Sequence, residues 1–250
     1  MAEAHRFLRS YRRLVPVMLA DFRSTGGFYL FFSLLLPAGV LYFVLTSAGA
    51  TDSAARRYFA AGAVATSLAM GPAVMLSARL GLARENREFD YWATLPVSKA
   101  GYVLALSTAH LAFSLLGVVA MLVLAVVFLG VPASGALGAL ALIPLAVVAL
   151  AGLGAFVGSR APSGIAGTLL GNLMLGVFLF LSPMMTHWDA YPAVLRPVAY
   201  AIPTTYIADA FRHAMGAATD LSLGTDVAVL AAVAVAGLWL THRFLDWRVR

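Results

Sequence analysis

The polar chemistry of this chain is confined to a few positions in an apolar sequence. The densest group is Arg84-Glu85-Asn86-Arg87-Glu88-Phe89-Asp90-Tyr91-Trp92, which runs on into Leu95-Pro96-Val97-Ser98. Charge comes first and aromatics follow, and Pro96 ends the helix they form. At helical spacing Phe89, Trp92 and either Thr94 or Leu95 share one face, with Glu85, Glu88 and Asp90 outward. Acids beside aromatics suit a protein surface better than an anionic lipid surface. Two further groups sit inside long apolar runs: His110 with Ser107 and Thr108, and Asn172. Side chains of these types hydrogen-bond between membrane helices at roughly 0.6 kcal/mol on average. Asn172 is costly against hydrocarbon, so it points at another helix or a cavity and is a candidate for a substrate path.

Other chemistry is excluded by residue type or spacing. No Gly-x-x-x-x-Gly-Lys-Ser/Thr loop is present, and the only lysine, Lys99, follows Pro-Val-Ser. The chain therefore has no route of that kind to ATP hydrolysis. Zero cysteines exclude a disulfide scaffold, a Cys-ligated zinc and a thiol nucleophile. His187 and His213 lack the paired-His or carboxylate-rich spacing of a metal site, so no metal ligand is assigned. Intramembrane proteolysis needs a Gly-x-Ser-Gly element with a His, or paired membrane aspartates, and neither occurs.

The elements that position these groups follow from composition. Of 250 residues, 62% are hydrophobic and 11% charged, against about 45–50% and about 25% in a soluble domain. Six apolar stretches approach the roughly 20 residues that a spanning helix needs: 28–46, 58–78, 100–129, 136–158, 165–183 and 227–241. Runs this long are not barrel strands, which alternate in polarity over about 10 residues. The fold class expected is all-α, a polytopic membrane protein with six transmembrane helices. Gly154 with Gly158, and Gly167 with Gly171, stand four apart and let helices approach closely. Five arginines precede the first run, and Ala48-Gly49-Ala50 resembles a cleavage site. That run is longer than a signal-peptide core of about 7–15 residues, so it is read as retained.

Six spans put both termini on one side. That side collects thirteen basic and six acidic residues, a net +7; the other has four basic and five acidic, a net −1. Positive charge beside span ends stays cytoplasmic, so both termini are expected inside. The net charge of +6 is thus an orientation signal rather than a nucleic-acid footprint. Residues 5–23 place Phe7, Tyr11, Leu14 or Val15, Met18 and Phe22 on one helical face, with arginines elsewhere. This is an amphipathic arm expected in the cytoplasmic headgroup layer against membrane lipids. On the other side, 184–226 is too apolar for a free loop, and its prolines cut 188–215 into two short helices of about 10 residues. Neither is long enough to span, which reads as a re-entrant or interfacial hairpin.

Two of these segments resemble the type-2 ABC transporter permeases. The charged loop leading through Leu95-Pro96-Val97-Ser98 into a long third span is similar to that family's cytoplasmic segment. Pro192, Pro203-Thr204-Thr205-Tyr206 and Ala208-Asp209-Ala210-Phe211-Arg212 resemble its outer hairpin, with Ile202 where the family often has Asn and Thr204 where it often has Leu. The resemblance covers essentially 1–250 as a single transmembrane domain. It implies a half-size permease in a bacterial inner membrane, paired with a second copy or a paralogue above ABC ATPase subunits. ATP and Mg would be bound by those subunits and no cofactor by this chain. It further implies a coupling helix at 83–97, with Glu85, Arg87, Glu88, Phe89, Tyr91 and Trp92 as ATPase contacts and Pro96 shaping the turn. Pro203, Thr204 and Tyr206 would lie at an extracellular gate. The cargo implied is a drug, a lipid or a lipid-linked glycan. A secondary transporter or channel without an ATPase is the alternative, weakened by the lack of Asp, Glu, Lys or Arg well inside the spans.

Overall fold

The computed structural model describes residues 2–21, the single positions 35, 39, 42 and 46, and residues 52–244. The described residues are all-helical, with no strand. The elements, in chain order, are α1 (Ala2–Asp21), α2 (Ser53–Glu85), α3 (Glu88–Thr94), α4 (Lys99–Leu129), α5 (Ala133–Arg160), α6 (Gly164–Phe180), α7 (Arg196–Tyr200), α8 (Pro203–Met215) and α9 (Leu223–Phe244). Two short 3₁₀ turns, Trp188–Ala190 and Ala193–Leu195, precede α7.

Four helices are long and apolar enough to cross a membrane: Ser53–Glu85, Gly101–Leu129, Ala133–Arg160 and Leu223–Thr241. The fifth apolar helix, α6, has 17 residues, about 26 Å at 1.5 Å per residue. It ends at Phe180 rather than at the expected 183, because Pro183 removes a donor and pushes the residue before it out of the helical region. The expected first span, 28–46, lies outside the described residues apart from the four single positions 35, 39, 42 and 46.

Local chemistry sets the ends of these helices. Asp52, Ser98 and Ser163 cap α2, α4 and α6, their side chains accepting from the N–H groups of Ala55, Gly101 and Ala166. α4 stops at Gly130 and α8 at Gly216, with φ of 68° and 67°, where a side chain would be strained. Within α2 the segment Gly71–Met75 widens to a π-helix at Pro72, whose missing N–H breaks the regular ladder.

Ser77 marks a close crossing of three helices. Its hydroxyl donates to the carbonyls of Ala73 and Gly154, joining α2 to α5. A Cβ on Gly158 would fall 2.7 Å from the Ser77 Cα, and one on Gly167 would fall 2.3 Å from the Ser77 carbonyl oxygen. The glycines spaced by four thus bring α5 and α6 against the backbone of α2. Gly167→Ala is expected to force α6 outward and cost about 1–3 kcal/mol, read as a lower midpoint of thermal unfolding.

Candidate functional site

The loop after α2 is built by a sharp reversal. Arg87 has φ 55° and ψ 28°, the one non-glycine with positive φ among the described residues, at a cost of order 1 kcal/mol. Three contacts hold the reversal. Arg79 forks onto Glu88, with Nη2 donating to Oε2 at 2.8 Å and Nη1 to Oε1 at 3.2 Å. The Glu85 carboxylate accepts the Gly164 N–H at 2.9 Å, at the positive end of α6. Phe89 is fully buried, edge-on to Tyr102 of α4 with centroids 6.2 Å apart, and Trp92 lies 5.6 Å from the same ring.

α1 completes this mount. Ser10 accepts from the Ser98 N–H at 3.3 Å, and Tyr11 bonds Thr108 at 3.0 Å. Leu14 and Met18 are buried with Leu80, Phe89, Tyr102 and Leu106, while Arg12 and Arg13 are exposed. The apolar face expected toward lipid therefore packs on the base of α4. Pro16 lies inside α1, which continues through it to Asp21.

These contacts sort the residues singled out from the sequence. Phe89 and Trp92 do share an inward face, and Phe89 belongs to the packing of the loop itself. Glu85 and Glu88, expected outward, are drawn into bonds within the chain. Arg87, Tyr91 and Thr94 form an exposed strip at steps of four and three, and Pro96 is exposed beside them. Tyr91 is 61% exposed, a large aromatic left uncovered.

At the opposite end, the hairpin is two 3₁₀ turns, the five-residue α7 and the thirteen-residue α8, rather than two helices of equal length. α8 is buried along most of its length between α2, α5 and α9. Pro203 opens it, where the absent N–H costs nothing. Thr204, fully buried, donates to the Phe178 carbonyl at 3.5 Å, and the Tyr206 hydroxyl donates to the Tyr200 carbonyl at 2.7 Å. Burial, with Tyr200 nearby, pushes the Tyr206 hydroxyl above its ordinary pKa, so it stays a donor. The three gate candidates are thus internal anchors of the hairpin in this conformation.

A buried charged network lies deeper. Arg212 donates to the carbonyls of Pro183 and Met184, and its guanidinium sits 3.8 Å from the centre of the Tyr58 ring. Asp209 Oδ1 is 3.7 Å from Arg212 Nη1, and the Asp209 carboxylate accepts the N–H groups of Asp220 and Leu221 at 3.2 and 3.0 Å. Burial pulls Arg212 below its usual pKa, while Tyr58 and Asp209 favour the charged form. The Tyr58 hydroxyl donates to the Thr186 carbonyl, and its ring stacks on His187 at 3.9 Å. One side chain, Arg212, therefore ties α8 to the segment after α6 and to the top of α2.

Asp209 and Arg212 stood in the hairpin motif without a role of their own. The signal was their spacing: positions 209, 212 and 213 put an acid, a guanidinium and an imidazole on one helical face. Asn172 is exposed on α6, one turn from exposed Thr168. His110 is buried and bonds its own helix, with Nδ1 2.9 Å from the Leu106 carbonyl oxygen.

None of the curated proteins matches this sequence. The family described as ABC-2 type transporter matches residues 14–215, a stretch that takes in Leu14 and Met18 of α1, the charged loop and the hairpin through α8. The chain belongs to the ABC-2 type transporter family: it is a membrane protein and a permease component, of a kind that transports rather than catalyses and generally works with an ATP-binding subunit.

Proposed function

We propose that the chain is the membrane-spanning subunit of an ATP-driven exporter that moves an amphipathic drug, lipid or lipid-linked glycan out of a bacterial cytoplasm. Energy comes from a separate ATPase subunit that holds ATP and Mg. The observation that carries this reading is the exposed strip of Arg87, Tyr91 and Thr94 on a helix mounted on α2, α4, α6 and α1. A push on such a strip reaches three apolar helices at once. Arg79, Arg84, Arg87, Lys99 and Arg160 flank this end, which favours placing it, the arm and both termini in the cytoplasm. Residues 28–46 then serve as the first of six spans, and 188–215 as an extracellular hairpin near the exit.

The exposed face of α6 favours a dimer. Thr168 and Asn172 line an exposed strip flanked by Ile165, Leu169 and Leu173, and an amide facing hydrocarbon is costly. A second permease, identical or a paralogue, covers that strip and brings Asn172 to the substrate path between the halves.

The test is recruitment of the ATPase. Co-purification of the tagged chain should bring an ATP-binding subunit with it. Arg87→Glu combined with Tyr91→Ala should weaken that association by about 2 kcal/mol or more, roughly 30-fold, with unchanged thermal stability. Transport that continues with no ATPase bound would favour a carrier or channel instead.

A further inference from the structure

Asp209, His213 and Asp226 bring two carboxylates and an imidazole to one place, with ligand atoms all within 4.8 Å of one another. Asp209 and His213 are one turn apart on α8, and Asp226 lies in the first turn of α9, which packs against α8. Asp226 is the unusual member. It is 0% exposed, and neither carboxylate oxygen has a hydrogen-bond partner among the described residues. A buried carboxylate in that condition is strongly disfavoured as the anion; it either takes up a proton or is met by a cation.

The neighbouring groups are already committed. Arg212 turns its Nη2 to the carbonyls of Pro183 and Met184 and its plane to Tyr58. The start of α9 is capped by Ser222, whose hydroxyl oxygen accepts the Thr225 N–H at 3.1 Å, so Asp226 is not needed there. Asp209 is held from behind by the N–H groups of Asp220 and Leu221, the kind of outer support that orients a metal-binding carboxylate.

We propose that Asp209, His213 and Asp226 bind a divalent transition-metal ion of zinc's class, which clamps the hairpin helix α8 to the start of α9. Two carboxylate oxygens and one imidazole nitrogen are a donor set that zinc accepts, leaving a fourth position for water. Calcium fits poorly, because it takes about 6–8 oxygen ligands and here one of three donors is nitrogen. Ligand atoms around a tetrahedral zinc, with bonds of about 2.0–2.2 Å, stand nearer together than 4.8 Å, so the side chains close on the ion by rotation. His213 Nε2 lies 2.6 Å from the Leu221 carbonyl oxygen; ligation through this nitrogen replaces that hydrogen bond, the ring proton moving to Nδ1. The His213 side chain is 26% exposed and provides the entry. The proposal does not depend on the ATPase reading.

The experiment uses the full chain, purified without a polyhistidine tag, stripped with EDTA and titrated with zinc or cobalt chloride. About one ion per chain should bind, cobalt should show the visible absorption of a tetrahedral site, and zinc should raise the melting temperature. Asp226→Asn should lower zinc affinity roughly 100-fold, since it removes a ligand where loss of mere outer support already costs about 10–100-fold. It should also make the metal-free protein more stable, because a buried unpaired charge is gone. That behaviour separates lost ligation from misfolding. His213→Ala should lower zinc affinity to a similar degree. No zinc binding by the wild type, undiminished binding by either variant, or an equal response to calcium overturns the proposal.

Discussion

Arg212→Ala is expected to cost about 3–5 kcal/mol, the scale for removing one partner of a buried ion pair. The size follows from what the guanidinium touches. Arg212 is 1% exposed and Asp209 2% exposed, so the carboxylate left behind has little water to replace its counter-charge. The Pro183 and Met184 carbonyls lose their Arg212 donor, and Tyr58 loses the cation over its ring. Arg212→Lys should recover part of the loss, because an ammonium keeps the charge but cannot reach two carbonyls and a ring from one plane. Chemical or thermal unfolding of the purified protein in detergent measures both. A loss below about 1 kcal/mol for the alanine variant would mean the network contributes no more than an exposed pair does.

Phe89→Ala is expected to cost about 3–5 kcal/mol as well, for a different reason: a large apolar side chain leaves a cavity. Phe89 is fully buried where α1, α2, α3 and α4 meet, against Leu80, Tyr102 and Leu106. Its loss should loosen the loop mount while the Arg79–Glu88 pair keeps the reversal at Arg87. Limited proteolysis within 86–98 should therefore speed up in Phe89→Ala and not in Tyr91→Ala. The exposed Tyr91 should change stability by no more than about 0.5 kcal/mol, as surface positions do. Equal proteolysis of the two variants would show that Phe89 is not the anchor of the loop.

Together these substitutions separate two kinds of residue that the charged loop presents side by side. Tyr91 and Arg87 offer surface to a partner, whereas Phe89, Trp92 and Glu88 hold that surface still. The sequence showed that Phe89 and Trp92 share a face, because helical spacing is a local rule. It did not show that Glu85 and Glu88 turn back to the Gly164 N–H and Arg79, since their partners come from outside the loop. The amphipathic arm has the same lesson. A helical wheel finds an apolar face at Leu14 and Met18 but cannot say what covers it, because lipid tails and the side of α4 are alike in polarity.

The sequence by itself determined the solvent, the all-helical class and the family. Long apolar runs, scarce charge and proline-bounded ends act residue by residue through transfer energy and backbone geometry, so they are legible without a fold. Only the tertiary structure decided which polar groups meet. Asp209 and Asp226 are 17 positions apart, and Arg212 reaches carbonyls at 183 and 184 and a ring at 58. Spacing along one helix finds Asp209 and His213, but the approach of α9 and α2 depends on how helices pack through their glycines. Packing is a property of surfaces in contact, and no periodicity in one segment contains it.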